Sequence, residues 1–214
     1  MSDCRLSIVG ARLEPHAAAP TLTFTLRMDV GTAAPVHAVA LRCQLQIEPG
    51  ARRYTPAEGD RLYELFAEPA RWHDTLRPLL WTHLSVLVPR FEGTIDVDVP
   101  VACTYDLEVA AAKYFHALDN GEIPLLFLFS GTIFFAADQR FSVSPVPWDA
   151  EAAYRLPVAL WRELMDRHFP NSTWLRLSRE NLDALHRFKG RHGLPTFDAA
   201  VEALLARSDV EEPA

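Results

Sequence analysis

The sequence lacks the features that would place the protein in a membrane or outside the cell. No apolar run reaches the roughly 20 residues of a membrane helix, because the longest, Ile123–Phe135, is interrupted by Pro124 and Gly131. No basic segment followed by an apolar stretch opens the chain, so we expect no secretory signal. Three cysteines without CxxC spacing are typical of a reducing compartment. We therefore predict a cytoplasmic protein with no membrane insertion.

Basic clusters and glycine-rich loops are also missing. The net charge is -7 and the longest basic run is the pair Arg52-Arg53, which argues against a nucleic-acid partner. Only nine glycines occur, and none belongs to a Walker, GxGxxG or GxSxG motif. The composition is otherwise ordinary, since 214 residues with 49% hydrophobic side chains can form a sizeable core without disulfides or metal.

Alternation of apolar and polar residues predicts three strands, at residues 21–30, 38–48 and 94–103. A period of two over about ten residues is typical of a strand with one buried and one solvated face. The segment Gly31–Pro35 predicts a hairpin-like turn between the first two strands. Weaker strand candidates are Arg5–Arg12, Trp81–Phe91 and Phe141–Val146.

The apolar run Ile123–Phe135 has no polar face, which predicts a central strand covered on both sides. With it, about seven strands are expected, the number found in an immunoglobulin-like β-sandwich. Two short helices are expected between strands, at Glu58–Glu68 and Tyr105–Leu118.

After Trp148 the apolar spacing becomes helical, and Pro157, Ser178 and Thr196 mark the starts of three helices. The predicted fold class is mainly β with an α appendage, an α+β arrangement. The predicted organisation is a β-sandwich domain at 1–147, a helical segment packed on it at 148–207 and a disordered tail at 208–214.

Two sets of segments resemble known families. The stretch Val97–Phe135 contains Val-Asp-Val-Pro-Val and Leu-Phe-Leu-Phe-Ser-Gly-Thr, and it resembles the second half of the water-stress and late-embryogenesis-type β-sandwich domain. Leu126–Thr132, Pro145–Asp149 and Phe169–Leu175 together resemble an uncharacterised bacterial family encoded near nickel–iron hydrogenase genes. The second resemblance implies a role in assembling, stabilising or coupling a hydrogenase, and it implies no catalytic residue.

Groups that could carry chemistry are scattered along the sequence. No two of the eight histidines have the i, i+4 spacing of a metal pair on a helix, and we expect no metal and no cofactor. Cys43 and Cys103 fall on the apolar phase of their strands, which predicts buried, inert thiols. Asp96 and Asp98 share a strand face that could hold a cation, although a solvated face is the simpler interpretation.

The aromatic residues form the most unusual feature of the sequence. Five of them crowd the C-terminal third, namely Trp148, Tyr154, Trp161, Phe169 and Trp174. Aromatic clusters of this kind occur at the centres of protein interfaces, so these residues are a candidate partner interface. The alternative is that the rings pack the helices onto the sandwich.

These observations favour a non-catalytic binding or assembly protein, and the second resemblance implies a nickel–iron hydrogenase or a similar redox complex as its protein partner. One alternative is an enzyme or metal-handling protein whose site assembles from His83, Asp96, Asp98 and His116. Another is an acidic, β-rich holdase that binds unfolded chains. The sequence leaves the oligomeric state open.

Overall fold

The fold is mixed α+β and contains two antiparallel sheets. The computed structural model describes residues 4–31, 35–106, 109–137, 140–172 and 175–211. The chain divides into two compact units, Met1–Trp174 and Leu175–Ala214. The first unit contains both sheets, and the second contains two helices.

Eight strands form in the described residues, and seven of them correspond to the segments expected from the sequence. They are Cys4–Leu13 (β1), Thr21–Val30 (β2), Val36–Ile47 (β3), Leu79–Val88 (β4), Thr94–Ala102 (β5), Glu122–Ala137 (β6), Arg140–Pro145 (β7) and Glu151–Pro157 (β8). β8 was not predicted, because its seven residues include two alanines and no β-branched residue.

The strands form one three-stranded and one five-stranded sheet. The three-stranded sheet has the order β1-β2-β5. In the five-stranded sheet β4 pairs with β3, β3 with β6, and β6 with both β8 and β7 along its other side. The predicted hairpin between β2 and β3 is wrong, because the two strands lie in different sheets. Alternation indicates which face of a strand is buried, but it does not indicate which strand lies beside it.

The two sheets face each other across an aromatic core. Phe24 of β2 packs edge-to-face on Phe127 of β6, with ring centroids 5.1 Å apart. Trp81 and Tyr154 also contact Phe24, at 6.3 and 5.8 Å between ring centroids. Each sheet therefore has an inner face in this core and an outer face on the other side.

β6 is the central strand of the five-stranded sheet, as its apolar sequence predicted. Its inward side chains, such as Ile123 and Phe127, are fully buried. Its outward side chains are not, since Leu128 and Phe134 are half-buried and Ser130 is exposed. The expectation that β6 is covered on both sides is therefore wrong for its outer side, where apolar side chains meet solvent.

Seven α-helices form in the described residues. They are Pro56–Arg61 (α1), Tyr63–Phe66 (α2), Trp72–Thr75 (α3), Ala110–His116 (α4), Val158–His168 (α5), Arg179–Arg191 (α6) and Phe197–Glu211 (α7). Ser178 Oγ accepts a hydrogen bond from the N–H of Asn181 at 3.2 Å, so the predicted cap of α6 is confirmed. Thr196 Oγ1 accepts one from the N–H of Ala199 at 3.1 Å at the start of α7.

Strand β8 and helix α5 belong to the first unit, whereas the sequence placed the domain boundary at residue 148. β8 pairs with β6, and Trp161 of α5 is only 2% exposed. The predicted helical segment 148–207 thus spans both units, and its packing on the sandwich stays a prediction. α7 extends to Glu211, inside the predicted tail at 208–214, while residues 212–214 lie outside the described residues.

The second unit is held together by contacts between its two helices. The rings of His186 in α6 and Phe197 in α7 lie edge-to-face, with centroids 4.8 Å apart. The guanidinium of Arg207 lies 5.2 Å from the ring centroid of Phe188, a cation–π geometry.

Candidate functional site

The surface of the five-stranded sheet that points away from the three-stranded sheet is the candidate site, and we call it the outer face. Strand register places on it Leu80, His83, Ser85 and Leu87 of β4, Ala40, Arg42, Gln44 and Gln46 of β3, Leu126, Leu128, Ser130, Thr132 and Phe134 of β6, Val143 and Pro145 of β7, and Glu151 and Ala153 of β8. The solvated side of an antiparallel sheet is ordinarily polar. Here much of that side is apolar.

Several of these apolar side chains are strongly exposed. Leu87 is 74% exposed, Val143 is 65% exposed and Leu80 is 50% exposed. Val143 lies directly opposite Phe134 in the ladder between β7 and β6, so the two side chains are neighbours on the outer face. The outer face therefore presents apolar area that the fold itself does not bury.

Two depressions of about 590 Å³ each lie at the middle of the outer face and share Arg42, Ser85 and Ser130 in their linings. The surface is concave there because Ser130 of β6 and Ser85 of β4 have short side chains. At Gly131 no side chain fits, because a Cβ there would lie 2.2 Å from the carbonyl oxygen of Ala40. The close approach of β6 to β3 thus requires glycine at this position.

Arg42 is the cation at the centre of the outer face. No ion pair joins Arg42 to an acidic side chain among the residues that the structure describes. An uncompensated arginine among apolar side chains is a composition common in protein interfaces. The outer face could therefore receive a partner surface with apolar side chains and an acidic group.

Trp148 lies in the loop between β7 and β8, at the edge of the five-stranded sheet, and it is 94% exposed. The loop is anchored to β6 by two backbone hydrogen bonds. The N–H of Phe129 donates to the carbonyl oxygen of Ala150 at 2.9 Å, and the N–H of Val146 donates to that of Gly131 at 3.0 Å. Trp148 is thus exposed on a loop whose backbone is hydrogen-bonded to β6.

The other four residues of the predicted aromatic interface are placed differently. Trp161 is 2% exposed and its ring lies 5.7 Å from that of Tyr105. Phe169 stacks on the same tyrosine at 5.8 Å between ring centroids. Tyr154 is half-buried beside the core, and Trp174 lies outside the described residues. Of the four described members, Trp148 alone is strongly exposed.

Asp96 and Asp98 share the outer side of the three-stranded sheet, and each is bound by an arginine of that sheet, Arg27 of the adjacent β2 or Arg12 of β1. Arg27 donates to both carboxylate oxygens of Asp96 at 2.8 and 2.7 Å, and Arg12 does the same for Asp98. These hydrogen bonds hold the pKa of both aspartates below the usual range. Both carboxylates are thus occupied by arginine in this structure.

The histidines of the hypothetical catalytic or metal site lie apart from these aspartates. His83 belongs to the outer face of the five-stranded sheet, while Asp96 and Asp98 lie on the outer side of the other sheet. Burial lowers the pKa of His116, and the charges of Arg162 and Arg61 lower it further. In the described part of the chain, no three His, Cys, Asp or Glu side chains come together as metal ligands.

The buried cysteines were predicted correctly. Cys43 and Cys103 carry free thiols, and both are almost fully buried. Burial raises the pKa of each thiol to about 12, which keeps it protonated and unreactive near neutral pH.

The exposed apolar side chains of the outer face were not predicted, although the sequence contains a signal for them. Val86-Leu87-Val88 places three apolar residues in succession on one strand. Because successive side chains of a strand point to opposite faces, Leu87 must lie on the face opposite to its two neighbours. Uninterrupted apolar runs in strands thus indicate a second apolar face.

These observations define an α+β protein with two antiparallel sheets, one of which has an apolar outer face. The chain belongs to the "Family of unknown function (DUF6084)", whose sequence profile matches residues 1–213. A comparison with curated proteins found no match. Among the described residues, no helix has both the length and the apolar composition needed to cross a bilayer.

Parts of two solved β-glucosidases are weakly similar to the chain. One is β-glucosidase from Kluyveromyces marxianus in complex with glucose, with 8% identity, a TM-score of 0.26 and coverage of 72% of this chain and 15% of that chain. The other is β-glucosidase 3B from Thermotoga neapolitana in complex with alpha-D-glucose, with 9% identity, a TM-score of 0.26 and coverage of 72% and 17%. The chain thus spans less than a fifth of the length of either enzyme, and similarity at this level carries no argument about function.

Proposed function

We propose that the protein is a non-catalytic binding or assembly protein that docks a protein partner on the outer face of its five-stranded sheet. The observation that carries the proposal is the exposure of apolar side chains there, led by Leu87 at 74% and Val143 at 65%. Contiguous apolar surface is unfavourable in water, and on folded proteins it commonly marks an interaction site. Trp148, 94% exposed at the edge of the same sheet, adds a large aromatic side chain that a partner could bury.

The charge of Arg42 determines the kind of partner that fits. Burying an unpaired guanidinium against an apolar surface would cost several kcal/mol, so the partner must supply a carboxylate opposite it. The partner surface we propose is therefore apolar with an acidic group near its centre. The resemblance to a family encoded near nickel–iron hydrogenase genes supports a subunit of a hydrogenase or similar redox complex as that partner.

The proposal also includes the type of β-sandwich and the cellular compartment. The face-to-face contact of the sheets through Phe24 and Phe127 supports an immunoglobulin-like sandwich as the framework beneath the outer face. The free thiols of Cys43 and Cys103 support function in a reducing compartment, the cytoplasm.

A direct binding measurement with purified proteins tests the proposal. The full chain is titrated against a purified nickel–iron hydrogenase by biolayer interferometry, alongside the double variant Leu87→Glu/Val143→Glu. Two carboxylates on the apolar surface should weaken binding by roughly 100-fold, because they would be desolvated without partners. The matched control is Val9→Glu, which introduces a carboxylate at a 45% exposed position on β1 of the other sheet.

Three results would overturn the proposal. The first is absence of binding by the wild-type chain, and the second is equal weakening by the control and the double variant. The third is sedimentation of the wild-type chain as a dimer that the double variant converts to a monomer, since the outer face would then bind a second copy. A holdase would instead suppress aggregation of an unrelated unfolded protein without preference for the hydrogenase.

A further inference from the structure

A second concave surface, built by turns rich in arginine, lies at the end of the five-stranded sheet, beyond Leu126 and Ala153 of the outer face. It is a cavity of about 750 Å³, wide open to solvent, whose wall includes Arg52, Arg53, Asn120, Gly121, Glu122 and Arg155. The residues come from three segments that are distant in sequence: the turn after β3, the turn between α4 and β6 with the first residue of β6, and strand β8. A volume of this size suits a small molecule.

The cavity has the opposite charge to the protein as a whole. Its wall contains three arginines and one glutamate, and Glu58 behind the wall balances Arg52, so one positive charge remains in excess, whereas the chain carries a net charge of -7. The side chain of Arg53 is exposed and makes no ion pair within the described residues. Arg155 Nη1 lies 4.0 Å from Glu122 Oε2, which is too long for a hydrogen bond, so its donors stay available to a ligand.

Arg52 forms a rigid base for the cavity. Its side chain is 9% exposed and donates to Glu58 Oε1 at 2.8 Å. Glu58 is itself 1% exposed and also accepts hydrogen bonds from the backbone N–H groups of Thr55 and Asp119, at 2.9 and 3.0 Å. A buried pair satisfied in this way keeps its geometry, because any movement would leave a charge unpaired.

Further bonds from Arg52 hold the cavity wall in place. Its guanidinium donates to the carbonyl oxygens of Asn120 at 3.4 Å and Glu122 at 3.3 Å, so one side chain joins the two turns. Gly121 between them has φ of +77°, a left-handed conformation that favours glycine. No atom lies within 4 Å of the position a Cβ would take at Gly121, so the wall is open there.

From this geometry we propose that the cavity binds a small oxyanion ligand through Arg53 and Arg155, above the base formed by the Arg52–Glu58 ion pair. The ligand carries a phosphate or a carboxylate group, since the planar guanidinium fork matches both in two-point hydrogen bonding. Glu122 orients Arg155 by charge without occupying its donors. This site adjoins the end of the outer face but shares no lining residue with the two depressions at its middle.

The test is isothermal titration calorimetry of the full chain with sodium pyrophosphate and, separately, with sodium succinate, each at constant ionic strength. Binding of pyrophosphate alone would assign phosphate ligands, and binding of succinate alone would assign carboxylate ligands. The variant Arg53→Gln/Arg155→Gln should weaken binding by roughly tenfold or more, because both primary contacts are lost. The matched control Arg71→Gln/Arg90→Gln removes the same charge from exposed positions outside the cavity wall and should bind like the wild type.

Two outcomes would overturn the inference. Failure of the wild-type chain to bind either anion at millimolar concentration would show that the cavity is not an anion site. Equal weakening in the two double variants would show that total charge, and not the cavity, determines binding. Circular dichroism and thermal melts confirm that both variants are folded, which is expected because Arg52 and Glu58 are untouched.

Discussion

The outer sides of the two sheets differ sharply, although both sheets are antiparallel and share one core. On the three-stranded sheet, arginine–carboxylate pairs such as Arg12–Asp98 and Arg27–Asp96 cross from strand to strand. On the five-stranded sheet, apolar side chains such as Leu87 and Val143 stand around an arginine, Arg42, that no described acidic group neutralises.

One outer surface carries its own ion pairs, whereas the other exposes apolar side chains around an arginine without an ion pair in the described part of the chain. Exposed ion pairs contribute little to stability, but they satisfy the charged groups that they join. An apolar sheet surface gains free energy when a partner covers it. The same fold therefore presents one surface suited to solvent and one suited to binding.

The largest effect on stability is expected at the close contact between β6 and β3 in the five-stranded sheet. Gly131→Ala places a Cβ 2.2 Å from the carbonyl oxygen of Ala40, and backbone on both strands must shift. We expect the free energy of unfolding to fall by at least about 3 kcal/mol. Urea denaturation followed by circular dichroism measures this.

The three-stranded sheet supplies the matched control for that substitution. Gly10 of β1 has no atom within 4 Å of the position that a Cβ would take, so Gly10→Ala should change the free energy of unfolding by less than about 1 kcal/mol. Equal destabilisation by the two substitutions would contradict the view that only the five-stranded sheet needs this close approach.

The second largest effect is expected at the buried ion pair of Arg52 and Glu58, in contrast to the exposed ion pairs of the three-stranded sheet. Burial alone would raise the pKa of Glu58, but hydrogen bonds from Thr55 and Asp119 and the charge of Arg52 outweigh it and lower the pKa below 4.5. We expect Glu58→Gln to cost about 2 kcal/mol at pH 7, because a buried charged hydrogen bond is lost.

The sign of the pH dependence follows from the lowered pKa of Glu58. The stabilisation is fully present above the ordinary value of 4.5 and is lost as the pH falls through the lower pKa of the folded state. Thermal melts between pH 3 and pH 7 should therefore show a smaller acid-induced loss of stability in Glu58→Gln than in the wild type. Glu64→Gln, at an exposed carboxylate paired with Lys113, is the control and should follow the wild-type profile.

A smaller effect on stability is expected at the exposed apolar positions of the outer face. Leu87→Thr/Val143→Thr removes side chains that are 74% and 65% exposed, so the free energy of unfolding should change by less than about 1 kcal/mol. Retention on a hydrophobic-interaction column should decrease, because the apolar surface is reduced. Large destabilisation would show that these side chains belong to the core and would remove the basis for a docking surface.

The smallest effect is expected on the three-stranded sheet. Asp96→Asn/Asp98→Asn breaks two exposed ion pairs, and the thermal midpoint at 150 mM salt should stay close to that of the wild type. A clear loss that disappears at 1 M salt would show that this surface contributes electrostatic stability and would weaken the contrast between the two sheets.

Much of the core could be predicted from the sequence, because apolar residues at every second position of a strand show which of its sides is buried. Cys43 and Cys103 illustrate this, since the apolar phase of each strand correctly placed both thiols in the interior. β8 escaped prediction because its alanines carry little strand propensity, and its pairing with β6 supplies the stabilisation that its own residues lack.

The candidate site was much less predictable than the core. Trp148 and Trp161 are both tryptophans in the C-terminal third, yet one is 94% exposed and the other 2% exposed. Residue type alone does not separate them. One lies in an edge loop and the other on the inner side of α5, which is a property of the assembled fold. The arginine cavity depends in the same way on Arg52, Asn120 and Arg155 meeting from distant segments.

The sequence by itself determined which side of most strands is buried, through the alternation at residues 21–30, 38–48 and 94–103. Only the tertiary structure decided that β2 and β3 lie in different sheets and that Leu87, Phe134 and Val143 share one surface. The physical reason is that side-chain direction repeats every two residues along a single strand, whereas strand pairing depends on contacts between segments far apart in the chain.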